Sequence, residues 1–130
     1  MGLIYVDACL IIYAFEDHPT WGAAARQALA SVGAERLAIS PLVKLECLVA
    51  PMRSGNLQLQ EHYEQGLTHF VMLSLADEVY ARATELRARF NLRTPDALHL
   101  AAAQCSGCDA LWTNDDRLNQ ASRGLAVAML

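Results

Sequence analysis

The chain reads as a single α/β domain with a parallel sheet covered by helices on both faces. Three observations predict this. Apolar runs of strand length alternate with longer segments whose apolar residues recur with a period near 3.6. Hydrophobic residues make up 54% of the 130 residues and charged ones 18%, which suits strands buried on both sides. No linker, repeat or low-complexity stretch interrupts the pattern, so residues 1–130 form one domain.

Taken in order, LIYVD (3–7) is the first strand, and a helix runs through CLIIYAFE (9–16). The alanine-rich segment 20–32 is a helix that Thr20 could cap. RLAIS (36–40) is the second strand, and PLVKLECLVA (41–50) is a helix headed by Pro41. Residues 56–69 form a polar amphipathic helix, and FVMLSL (70–75) the third strand. Residues 76–90 form a surface helix in which Glu78 and Arg82 have the favourable i,i+4 order. A helix from 94 to about 105 follows, with Thr94 as cap and Pro95 in the first helical position. DALWTN (109–114) is the fourth strand, DDRLNQAS (115–122) a short helix and LAVAML (125–130) the last strand.

Charge and composition narrow the function. The net charge of −4 and pI near 5.4 give no general basic face for nucleic acid. A phosphate-bearing substrate would have to be held by local arginines or by metal ions. The ten basic residues are nine arginines and Lys44, and arginine suits bidentate contacts to phosphate. The apolar run from Leu3 to Phe15 has no basic lead-in, is broken by Asp7 and is too short to span a bilayer. The expected location is therefore cytoplasmic, with the four cysteines reduced and no membrane partner.

The acids fall at telling places. Asp7 closes the first strand, Asp115 and Asp116 follow the fourth, and Asp96 lies in the first turn of an otherwise apolar helix. Glu46 sits among Leu45, Cys47, Leu48 and Val49, where a carboxylate needs a partner. In open parallel sheets ligands bind outside the carboxyl ends of strands, where strand order reverses. If the first and fourth strands are neighbours there, Asp7 and Asp115 face each other, and Glu46 reaches the same rim. Clustered carboxylates repel unless a cation neutralises them, and hard oxygen donors select Mg²⁺ or Mn²⁺. Such a cluster suits phosphoryl transfer, in which a cation activates water and screens charge on phosphate. Each acid also has a local explanation: Asp7 as a turn former, Asp115 as a helix cap and Asp96 as a first-turn acid that favours the helix dipole.

Together LIYVDACLIIYAFE, ISPLVKLECLVAPMR, RTPDALHLAAA and LWTNDDRL resemble the PIN-domain ribonucleases, and most closely the VapC-type toxins of bacterial toxin–antitoxin pairs. The resemblance covers essentially the whole chain. It implies a three-layer α/β/α sandwich with a parallel five-stranded sheet in the order 3-2-1-4-5, which puts the first and fourth strands side by side. It also implies an endoribonuclease that hydrolyses RNA with Mg²⁺, or Mn²⁺ as a substitute, leaving a 5′-phosphate and a 3′-hydroxyl. By motif, Asp7, Glu46, Asp96 and Asp115 are the catalytic and metal-holding residues. A homodimer and a cognate antitoxin protein are the implied partners. Cys9 departs from the pattern, since the family often has Ser, Thr or Asn there and a thiol is a weaker hydrogen-bond partner.

Arg53, Arg93 and Arg117 flank the acidic motifs and are candidates for binding RNA phosphates, or else solvated surface residues. His99, one turn after Asp96, is read as a packing histidine and Asp116 as an exposed first-turn acid. Cys105 and Cys108 close a helix, whereas redox C-x-x-C pairs open one, so they are read as a chance pairing. Trp21 and Trp112 sit in apolar elements and are expected in the core or an interface. Two other readings stay open. One is a catalytically inactive PIN fold serving as a binding module. The other is a receiver-type phosphoacceptor domain, disfavoured because the only lysine is Lys44. A dehalogenase-type phosphatase would need an aspartate where Cys9 stands.

Overall fold

Each apolar run of strand length becomes a strand: β1 (Ile4–Val6), β2 (Leu37–Ile39), β3 (Val71–Met72), β4 (Ala110–Thr113) and β5 (Ala126–Ala128). Between them lie α1 (Ala8–Phe15), α2 (Gly22–Ala30), α3 (Pro41–Ser54), α4 (Leu57–Gly66), α5 (Asp77–Phe90), α6 (Thr94–Cys105) and α7 (Asp116–Ala121). The structure, a computed structural model, describes residues 2–122 and 124–129, with residues 116, 119 and 128 described by their backbone alone. The reading of Asp116 as an exposed acid and the last residue expected in β5 thus lie outside the described residues.

All strand pairs are parallel, in the order β3-β2-β1-β4-β5. This is the α/β/α arrangement expected of the chain, and it places β1 against β4. It is not the 2-1-3-4-5 order of receiver-type folds, which removes that alternative. β1 is buried along its length and β4 nearly so, as strands covered on both faces must be. Tyr5, Val6, Ile39, Leu100, Leu111 and Leu118 are among the side chains that close the core. In α6 the run Ala97–Ala103 is wholly buried, its small residues allowing close approach to neighbours. Among the described residues no helix is long and apolar enough to cross a membrane.

Several local expectations are corrected. The third strand has two residues rather than six, because it lies at the sheet edge and pairs only with β2. α3 does not stop at residue 50: it runs through buried Pro51 and ends at Gly55, whose φ of 70° is the left-handed conformation glycine adopts freely. Thr94 does not cap α6. It is the first helical residue, and Arg93, extended at φ −70° and ψ 156°, occupies the cap position without a side-chain cap bond. Nor does Thr20 cap α2, where Trp21 holds the cap position. Arg82 bonds Gln104 and Glu85 of its own helix, at i+3, rather than pairing with Glu78.

Candidate active site

Strand order reverses at β1 and β4, and an open cleft of about 760 Å³ lies there, lined by Asp7, Glu46, Asp96 and Asp115 together with Arg93 and Cys9. Each acid reaches it by a different local route. Asp7 is the residue between β1 and α1; its amide donates to the Trp112 carbonyl at 2.9 Å, so the sheet's hydrogen bonding runs up to it. Its side chain makes no cap bond to α1 and instead accepts from Thr113 Oγ1 at 2.8 Å. The Thr113 hydroxyl also accepts from the Asp115 amide at 3.1 Å, which ties the ends of β1 and β4 together.

Asp115 performs the local role its position suggested as well. Its Oδ1 accepts from the Arg117 amide at 2.9 Å, which caps the start of α7. The Arg117 guanidinium bonds both oxygens of Asp115, at 3.3 and 3.2 Å, and its Nη2 lies 4.0 Å from Asp96 Oδ2. Burial pushes the Asp115 carboxyl up, but the bonds from Arg117 outweigh it and hold the group below its ordinary value. Asp96 sits in the first turn of α6 with Arg93 Nε 3.4 Å away. There burial and the nearby Asp115 win over Arg93, and the carboxyl lies above its ordinary value. The cleft therefore carries negative charge that its own arginines balance unevenly.

Glu46 is half-buried on α3, and its partner is His99, whose Nε2 stands 2.5 Å from Glu46 Oε1 and 3.9 Å from Asp7 Oδ1. His99 is buried, as a packing histidine should be, yet it belongs to the site. Asp7, Glu46 and His99 bring ligand atoms within 4.8 Å of one another, a spacing at which they could hold a metal ion. Hard carboxylate oxygens on an open, water-accessible cleft fit a hard divalent cation such as Mg²⁺ or Mn²⁺. Two site residues escaped the sequence reading in this role, Thr113 and His99. The bonds that give them this role, Thr113 to Asp7 and His99 to Glu46, span 106 and 53 residues, so no local pattern marked it.

The arginines divide. Arg93 lines the cleft and Arg117 sits on its acids, while Arg53, exposed in the last turn of α3, is not among the lining residues. Cys9 lines the cleft too. Burial and the adjacent Asp7 push its thiol up to about 12, so it stays protonated and uncharged. Trp112 is buried in β4, and half-buried Trp21 stacks on His18 and leans on Tyr13. Cys105 is exposed, Cys108 is buried, and both are free thiols.

The pKa direction at Asp96 has a measurable consequence. A carboxyl raised in the folded state binds its proton more tightly there than in the unfolded chain. Stability therefore falls as pH rises from the unfolded value to the folded one, and at pH 7 the full penalty is present. Asp96→Asn is expected to raise the melting temperature of metal-free protein at pH 7, by roughly 2–5 °C, and to have no such effect near pH 3. Thermal unfolding in EDTA at the two pH values checks this, and a lower melting temperature at pH 7 would refute it.

The PIN domain family model matches residues 4–124 of the chain. Among solved structures, a toxin–antitoxin complex from Klebsiella pneumoniae matches with a TM-score of 0.82 at 22% identity, covering 99% of this chain and 98% of that one. VapBC2 from Rickettsia felis, bound to a DNA fragment from its promoter, matches with 0.76 at 18% identity, covering 96% and 97%. VapC20 from Mycobacterium tuberculosis, described as a sarcin–ricin-loop-cleaving toxin, matches with 0.77 at 16% identity, covering 91% and 94%. At these identities the likeness is one of fold. No curated protein matches the chain significantly.

Proposed function

This chain belongs to the PIN-domain family, and from that premise we propose that it is a metal-dependent endoribonuclease, the toxin of a toxin–antitoxin pair. The observation that carries the reading is the convergence of four carboxylates from four different elements on one cleft at the strand-order reversal. Asp7, Glu46, Asp96 and Asp115 are the catalytic residues and would hold Mg²⁺, or Mn²⁺ in its place. When bound, such an ion activates water for attack on phosphorus and screens the charge that develops on phosphate. Thr113 fixes the orientation of Asp7. Arg93 and Arg117, already at the cleft, are placed to take RNA phosphate oxygens, and Arg53 would touch only RNA that extends beyond it. In the reaction a water oxygen joins phosphorus and the bond to the 3′ oxygen breaks. The water proton ends on that oxygen, giving a 3′-hydroxyl and a 5′-phosphate.

Support for RNA as substrate comes from the family and from VapC20, a fold relative described as cleaving the sarcin–ricin loop. Support for an antitoxin partner comes from fold relatives that are toxin–antitoxin complexes. Exposed Leu45, Val49 and Met52 on α3 support a homodimer or antitoxin contact that covers apolar surface. The cytoplasm is the compartment this reading requires.

The deciding experiment incubates the purified protein with a mixed pool of tRNA, rRNA and mRNA in Mg²⁺, Mn²⁺ or EDTA and maps the ends produced. Cutting that needs metal and leaves 5′-phosphates is the expected result. Cutting in EDTA would overturn the mechanism. No cutting, together with no Mn²⁺ binding by calorimetry, would make the chain an inactive PIN fold.

A further inference from the structure

Behind Glu46 lies a line of polar side chains that the proposed chemistry does not use. Ser40 Oγ is 2.8 Å from the Tyr5 hydroxyl, which is 2.7 Å from His99 Nδ1, and His99 Nε2 is 2.5 Å from Glu46 Oε1. Ser40 and Tyr5 are fully buried and His99 is 1% exposed. Among the described residues no buried side-chain nitrogen or oxygen lacks a partner. Ser40 also occupies the cap position of α3, where a serine ordinarily bonds the helix backbone. Its side chain makes no such bond and is committed to Tyr5 instead.

The direction of this chain follows from its last member. An ionised carboxylate only accepts, so the proton between Glu46 and His99 sits on Nε2. A neutral ring with Nε2–H has a bare Nδ1, which can only accept, so the Tyr5 hydroxyl donates to it. The Tyr5 oxygen in turn accepts from Ser40. With the ring neutral, every donor points toward the cleft, and the Nε2–H tautomer is the one that satisfies both ends.

We propose that His99 is a positioning residue for Glu46. The buried Ser40–Tyr5 pair holds the imidazole in place through Nδ1, and the imidazole, through Nε2–H, fixes the carboxylate facing Asp7. Tyr5 lies in β1 two residues before Asp7, so the chain references Glu46, on a helix, to the same strand that carries Asp7. The two acids are thereby held in register across elements that make no direct bond through their own side chains. The role rests on the reading of the cleft as a cation site.

The test measures Mn²⁺ binding by calorimetry, with thermal unfolding as the folding control, for wild type, His99→Leu, His99→Gln and Tyr5→Phe. It adds nitrogen NMR of the imidazole in metal-free protein and in Mg²⁺. His99→Leu is expected to weaken Mn²⁺ by roughly 10- to 100-fold, the usual cost of losing a group that orients a ligand. His99→Gln, which keeps an N–H donor, recovers most of that loss. In metal-free wild type the His99 proton is on Nε2, held there by Glu46, and Tyr5→Phe, which keeps the ring volume but strips Nδ1 of its donor, is expected to shift the Nδ1 resonance and to weaken Mn²⁺ less than His99→Leu. Equal weakening in the Leu and Gln variants, unchanged binding in His99→Leu, or a proton found on Nδ1 would overturn the proposal. So would loss of the Nε2 proton in Mg²⁺, which would make His99 a ligand. If wild type itself bound no Mn²⁺, the cation-site reading would fail and this role with it. Wild-type binding with indifferent variants would remove the positioning role alone. Should His99→Leu not fold, Tyr5→Phe and the tautomer measurement still decide.

Discussion

Asp7→Asn is expected to lower metal-dependent RNA cleavage by ~10³-fold or more, on the scale of removing one essential electrostatic group from an active site. Asp7 is held from two elements, β4 and α6. Its amide continues the β1–β4 pairing, Oδ2 accepts from buried Thr113, and Oδ1 faces His99. The asparagine amide can keep the bond from Thr113 through its oxygen, so the fold should survive. It cannot keep the negative charge, and it turns a donor toward the His99 Nε2–H. Cleavage assays beside circular dichroism and Mn²⁺ calorimetry check this. A variant that folds, binds Mn²⁺ and cuts RNA at the wild-type rate would show that the chemistry lies elsewhere.

Leu111→Ala should produce the largest loss of stability, about 2–5 kcal/mol, against a total of roughly 5–15 kcal/mol for a domain of this kind. Leu111 is fully buried in β4, opposite Tyr5 on one side and Ala126 on the other. Truncation would leave a cavity in the strand that carries Thr113 and leads to Asp115. Lining atoms cannot collapse readily onto it, because strands hold it on both flanks. The melting temperature should fall by on the order of 10 °C, and the denaturant midpoint should fall with it. A change below 1 kcal/mol would mean that the interior repacks around the gap.

What the sequence made legible was the part of the design that is local. Alternating strand and helix runs, the proline heading α3 and the acids at strand ends all depend on neighbours a few residues away, and these features are where the sequence pattern put them. The juxtaposition of β1 and β4 came with the family resemblance, since strand order leaves no local trace. The misses have physical causes. The length of β3 depends on which strands flank it, and at the edge only two residues are needed to pair. α3 overran its expected end, carrying buried Pro51 within it and stopping at the left-handed Gly55. His99 looked like packing because its isolation among alanines and leucines says nothing of Tyr5 or Glu46, which come from other elements. Thr113 was read only as part of a strand, and its bond to Asp7 exists only once β4 lies against β1, although its bond from the Asp115 amide is local.

The sheet is also uneven in a way that bears on how the molecule opens. Its middle, β1 and β4, is buried and carries Asp7 and Thr113, whereas β3 is two partly exposed residues at one margin. Amide protons of an element like β3 exchange with solvent through local fraying, while those of a central ladder wait for global unfolding. The amide of Asp7, bonded to Trp112, belongs to the second class. Excursions that release the β3 margin therefore leave the two central strands joined. Asp7 and Asp115 are thus anchored at the ends of the central strands, which fraying at the β3 margin leaves joined.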